Sequence, residues 1–80
     1  MATTMERVKK VTAEVLKVDP KTIKDTSRFV EDLGAESVQS IELVAAFEEE
    51  FEIEMDEDAA LSVKNISDAT QFIDKVIAGQ

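Results

Sequence analysis

Apolar residues fall at Met5, Val8, Val11, Val15 and Val18, spacings of three and four that place them on one face of a helix. Thr3 and Glu6 fit a T-x-x-E capping box at its start. The pattern predicts a first helix from about residue 4 to 17, closed by Val18-Asp19-Pro20, since the residue before proline is pushed out of the helical region. From Lys21 to Ala35 no period holds. Ile23, Phe29, Val30 and Leu33 are apolar at irregular intervals, as in a long loop pinned to the core at those points. A loop of this length in a small domain tends to serve function.

Helical periodicity resumes near Ser37 and runs to about Phe51, now with two apolar stripes. Leu43, Val44, Phe47 and Phe51 make the bulkier one, expected to face the core. Val38, Ile41 and Ala45 make a second, turned away from it and flanked by Glu42, Glu48 and Glu49. Two readings fit this second stripe: an exposed docking strip rimmed by carboxylates, or the edge of a wide core face. Asp56-Glu57-Asp58 then opens a short segment, A-A-L-S-V, with acids where a helix dipole favours them. Ser67, followed by Ala69, Phe72, Ile73 and Val76, opens a last helix ending near Gly79. The sum is a small all-α, antiparallel bundle of three main helices and one short one, a single domain over residues 1–80, with its longest connection leading into Ser37.

Composition narrows the chemistry. The chain has no Cys and no His, so a Ser-His or Cys-His nucleophile pair and imidazole metal ligation are excluded, and a self-contained hydrolase is not expected. Net charge is −9, and its distribution matters more than its sum. Residues 1–28 hold seven bases and four acids, whereas residues 29–63 hold twelve acids and no base. Such a block disfavours nucleic acid and anionic lipid and suits either a basic protein partner or plain solubility. With no apolar run long enough to span a bilayer and no signal-peptide pattern, a soluble, cytoplasmic, monomeric protein without membrane insertion is expected.

The acids at Asp56, Glu57 and Asp58 do not make a calcium loop, since the positions that need glycine and glutamate hold Leu61 and Ser67. Glu48 and Glu49 read as solvated charge on a wet helix. Ser37 is the ambiguous residue. Serine is a preferred helix N-cap. Yet Gly34 sharpens the preceding turn, and a hydroxyl at the exposed start of a helix would hold a phosphate in a favourable field.

The stretches F-V-E-D-L-G-A-E-S-V and I-E-L-V-A-A-F-E-E-E-F resemble the acyl carrier protein family, and the likeness extends in order over nearly the whole chain. The resemblance implies a non-catalytic carrier with 4′-phosphopantetheine attached covalently to Ser37, holding acyl intermediates as thioesters in fatty acid or specialised lipid and polyketide biosynthesis. It implies that Glu36, Val38, Ile41, Glu42, Ala45, Glu48 and Glu49 meet the basic docking surfaces of a phosphopantetheinyl transferase and of acyl-transferring or synthase enzymes. It further implies an acyl-chain lining drawn from Phe29, Val44, Phe47, Met55, Ala60, Val63 and Ile66, each of which plain core packing would also explain. Leu61 would be a further partner contact. An aminoacyl or peptidyl carrier, or an unmodified acidic helical adaptor, are the alternatives. The family's D-S-L motif stands here as E-S-V, followed by Gln39. Glutamate caps a helix less well than aspartate, so Ser37 is expected to be drawn into capping and to present its oxygen less freely.

Overall fold

The computed structural model describes residues 3–79, except the side chains of Glu57 and Leu61; the contact expected of Leu61 thus lies outside the described residues. Four α-helices are described: α1 (Thr4–Leu16), α2 (Ser37–Phe51), α3 (Glu57–Leu61) and α4 (Ile66–Ala78), with a 3-10 turn at Pro20–Thr22. The expected all-α bundle is what forms, and no described helix is long and apolar enough to cross a membrane.

At the start of α1, Thr3 Oγ1 accepts from the Glu6 N–H at 3.1 Å. The helix stops a residue before the expected end. Lys17 takes the left-handed conformation (φ 58°, ψ 45°) and its N–H returns to the Ala13 carbonyl, which Val18 N–H also reaches at 3.1 Å. Both bonds end on the one Ala13 carbonyl and close the helix there. Pro20 opens the 3-10 turn instead of ending the helix, and Asp19 caps that turn by accepting from Lys21 N–H. The C-terminus of α2 repeats the device: Glu52 is left-handed (φ 55°) with its N–H on Glu48 O, joined there by Ile53 N–H. The last helix starts before Ser67, at Ile66, because Asn65 supplies the cap, its side chain accepting from Asp68 N–H at 2.8 Å.

Val8, Thr12, Ile66 and Ile73 are the largest fully enclosed side chains and lie where α1 meets α4. Each such aliphatic side chain contributes about 1.5–3 kcal/mol relative to exposure. Thr12 and Thr70 are tolerated in this core because each hydroxyl donates to the carbonyl one turn back, at 2.8 and 2.9 Å. Leu43, Phe47 and Phe51 bring the bulky stripe of α2 into the same core, and Arg7 ties α1 to the end of α2. Its guanidinium pairs with the Glu50 carboxylate at 2.9 Å, donates to the Glu50 carbonyl at 2.7 Å, and lies 4.4 Å from the Phe51 ring centroid.

The long loop is fastened in a way periodicity does not foretell. Phe29 N–H donates to Lys64 O and Ile66 N–H to Ser27 O, both at 3.0 Å, forming an isolated antiparallel bridge between Arg28 and Asn65. Ile23 and Phe29 are buried as expected and Leu33 is half-buried, but Val30 is 56 % exposed and pins nothing. It sits in a turn whose bonds run from Gly34 N–H to Val30 O and from Ala35 N–H to Phe29 O. Those bonds bury Ala35 and turn Val30 outward.

Candidate functional site

The turn that places Ser37 is built from residues 28–36. Asp32 accepts from the Arg28 backbone N–H at 2.8 Å and from its guanidinium at 3.2 and 3.3 Å. The hydrogen bond from the Arg28 side chain, with the backbone bond next, holds the Asp32 carboxyl below its ordinary range; the same pairing raises Arg28. Gly34 follows at φ +73°, and the space beside its Cα is open. Its requirement is therefore the left-handed backbone and not room for a neighbour.

At the start of α2 the N-cap is Glu36, and Ser37 is the first helical residue. Glu36 and Gln39 are disposed as a capping box; the half at hydrogen-bonding distance is the Glu36 N–H donating to Gln39 Oε1 at 2.9 Å. This corrects the expectation that a glutamate in place of aspartate draws Ser37 into capping. Gln39 does that work from the third helical position, where its longer side chain reaches back. Ser37 is exposed, and among the described residues nothing hydrogen-bonds to its hydroxyl.

Its freedom distinguishes it from the other four serines. Ser27 is buried and accepts from Lys24 N–H. Ser40 donates to the Glu36 carbonyl at 3.3 Å and Ser62 to the Ala59 carbonyl at 2.6 Å, while Ser67 accepts from Gln71. Beside the Ser37 hydroxyl, the backbone N–H groups of Ser37 and Val38 have no carbonyl partner among the described residues. Free amides at a helix start favour an anionic group attached there.

Val38 and Ile41 stand 64 % exposed, and Ala45, Glu36, Glu42 and Glu49 are exposed with them. The second stripe of α2 is therefore a solvent-facing strip and not the margin of the core. Glu48 departs from the others. It is half-buried, and its carboxylate accepts from Met55 N–H at 3.0 Å, holding the chain that leaves α2. It is not the freely solvated acid its neighbourhood in the sequence suggests.

Between α2, α3, α4 and the long loop lies an apolar cavity of about 160 Å³, whose lining on α2 begins at Ser40, one turn after Ser37. Among the helix pairs, α1 packs closely on both α2 and α4, while α2 and α4 are not closely packed on each other. That gap is where the cavity lies. Phe29, Val44, Phe47, Met55, Ala60 and Val63 line it, the rings of Phe29 and Phe47 meeting at 6.4 Å between centroids. Ile66 is the exception among the expected lining residues: it is 0 % exposed in the core and not on the cavity wall. Leu43, Ala69, Val30, Ser40 and Lys64 complete the lining. Sequence reading missed these five. Lys64 alone carries a signal, as the first base after the long acidic block.

A family model described as a phosphopantetheine attachment site matches residues 6–73. The exposed serine hydroxyl and the amides beside it, which have no partner among the described residues, fit the covalent 4′-phosphopantetheine that this family carries. The match spans α1 to the third turn of α4, so the chain belongs to the phosphopantetheine attachment family and is a phosphopantetheine carrier.

Proposed function

We propose that the chain is an acyl carrier whose prosthetic group is attached at Ser37. The observation that carries this assignment is the exposed Ser37 hydroxyl at the first position of α2, which like the amides beside it has no hydrogen-bond partner among the described residues, whereas the other serines are all buried or bonded. Ser37 Oγ supplies the ester oxygen of a phosphodiester, and the start of the helix stabilises the charge placed there. When bound, the group supplies a thiol that holds an acyl chain as a thioester. That thiol cannot come from a chain without cysteine, and the reactions belong to partner enzymes.

Val38, Ile41 and Ala45, rimmed by Glu36, Glu42 and Glu49, form the surface read by a phosphopantetheinyl transferase and by acyl-handling enzymes with basic docking faces. Electrostatic attraction there speeds encounter and orients the partners, while the small apolar contact keeps release fast. Glu48 contributes through its hold on Met55 more than through solvent-facing charge. The cavity wall is chiefly hydrocarbon, which favours an acyl cargo over an aminoacyl one. Incubation with a broad-specificity transferase and its pantetheine donor, followed by intact mass, tests the assignment: one prosthetic group is added to the native chain and none to Ser37→Ala.

A further inference from the structure

A second depression, an open groove, lies between α1 and α2. Val11 and Val15 of α1 and Ala46 of α2 form its apolar floor, and Glu14, Glu49 and Glu50 stand around it. Val11 is buried, Val15 and Ala46 are half-buried, and the three glutamates are exposed. Glu50 is engaged with Arg7. Glu14 and Glu49 make no ion pair or side-chain hydrogen bond among the described residues, and neither does Lys10, one turn before Glu14.

The other acids of residues 1–28 each have a structural task. Glu6 lies in the first turn of α1, where the helix dipole favours it; Asp19 caps the 3-10 turn, and Asp25 pairs with Lys9. Glu14 has no such task. It stands in the last turn of α1, the end at which a helix dipole disfavours an acid, and Glu49 stands likewise in the last turn of α2. Neither last turn carries a base. The groove thus gathers two carboxylates and the negative ends of two helices over a hydrocarbon floor. Its complement is a cation on a hydrocarbon stem. A metal ion would use the charge but not the floor, and among the described residues no group of three His, Cys, Asp or Glu side chains is placed to hold one.

We propose that this groove docks a partner protein through a segment that presents a lysine or arginine beside an aliphatic residue. The methylene stem lies on Val11, Val15 and Ala46 while the charged head reaches Glu14 and Glu49, the division such side chains adopt between apolar surface and polar rim. Ala46 and Glu49 follow Ser37 by nine and twelve residues, about 14 and 18 Å along α2. A segment seated there leaves Ser37, Val38 and Ile41 uncovered, so one partner can hold the chain by the groove while the start of α2 stays open to a second protein. Glu49 alone is shared between the groove and the exposed strip. The inference does not depend on attachment at Ser37.

The test is an amide NMR titration of the full, isotope-labelled chain with a short synthetic peptide, one lysine flanked by leucines in a serine background, beside the same peptide with glutamine in place of lysine. The lysine peptide shifts the amides of Val11, Glu14, Val15, Ala46 and Glu49 and leaves that of Ser37 in place; the glutamine peptide shifts none. Glu14→Gln weakens binding about threefold, as for the loss of one exposed ion pair, and Glu42→Gln, off the groove, leaves it unchanged. Both substitutions are at exposed positions, and unchanged amide spectra elsewhere verify the fold. Shifts centred on Val38 and Ile41, or spread equally over Asp56 and Asp58, overturn the proposal. So do the absence of any shift, equal binding of the glutamine peptide, and the same pattern of shifts with calcium chloride alone. None of these outcomes touches the intact-mass test of Ser37, and failure of that test leaves the groove as it is.

Discussion

The Glu36 N–H donates to Gln39 Oε1 at 2.9 Å, so the capping at the start of α2 is done on either side of Ser37 and not by it. Gln39→Ala should therefore cost stability, by about 0.5–2 kcal/mol, the range for loss of a helix cap. Denaturant unfolding would measure it. Glu36→Asp should instead raise stability and leave the exposure of the Ser37 hydroxyl unchanged, since that oxygen has no capping role to be relieved of.

Arg7 joins α1 to the end of α2 through three separate contacts: the Glu50 carboxylate, the Glu50 carbonyl and the Phe51 ring. The ion pair alone is exposed and worth little. The cation over the ring and the bond to a terminal carbonyl add to it. Arg7→Ala should destabilise by about 1–2 kcal/mol. Arg7→Lys should recover less than half, because an ammonium cannot serve carboxylate, carbonyl and ring together. Full recovery by lysine would show that only the charge matters.

The turn leading to Ser37 should depend on pH through Asp32. Its folded-state pKa is lowered by hydrogen bonds from the Arg28 side chain and backbone. A carboxyl lowered on folding stabilises above its unfolded pKa of about 3.9, and that contribution disappears as pH falls through the lower folded value. Native protein should thus exceed Asp32→Asn in stability at neutral pH, with the gap closing in strong acid. Both groups are exposed, so the gap is small and shrinks with added salt. A gap that widens on acidification contradicts the pairing.

The helices were legible because burial imposes a period. Leu43, Phe47 and Phe51 recur at four-residue steps on one side of α2, and Val38 and Ile41 fall on the other, so the second stripe was readable while the choice between exposed strip and core edge was not. The loop was not. Val30 and Phe29 are adjacent and both apolar, yet one is exposed and the other buried. What separates them is the backbone pairing of residues 27–29 with residues 64–66, which depends on chain direction and not on side-chain type. Ser67 looked like the start of α4 for a related reason: serine and asparagine are comparable caps, and the bridge at Asn65 fixes the earlier start. At Glu48 the charge was visible, but the amide it holds, seven residues on at Met55, was not.

If the exposed strip on α2 is a partner surface, its substitution should separate function from stability. Ile41→Ala should leave stability within about 0.5 kcal/mol, as expected for an exposed position, while lowering kcat/KM for transfer of the prosthetic group roughly tenfold, the equivalent of about 1.4 kcal/mol. Equal activity of native and variant protein with several transferases would remove Ile41 from the docking surface.

Attachment at Ser37 is most directly tested by intact mass after exposure to transferase and donor, with circular dichroism as the check on folding. The native chain should gain one phosphopantetheinyl group, and Ser37→Ala should gain none while keeping its helices, since the exposed Ser37 hydroxyl makes no hydrogen bond among the described residues. A folded Ser37→Ala that still gains the group, or a native chain that gains none with any transferase tried, would contradict the assignment.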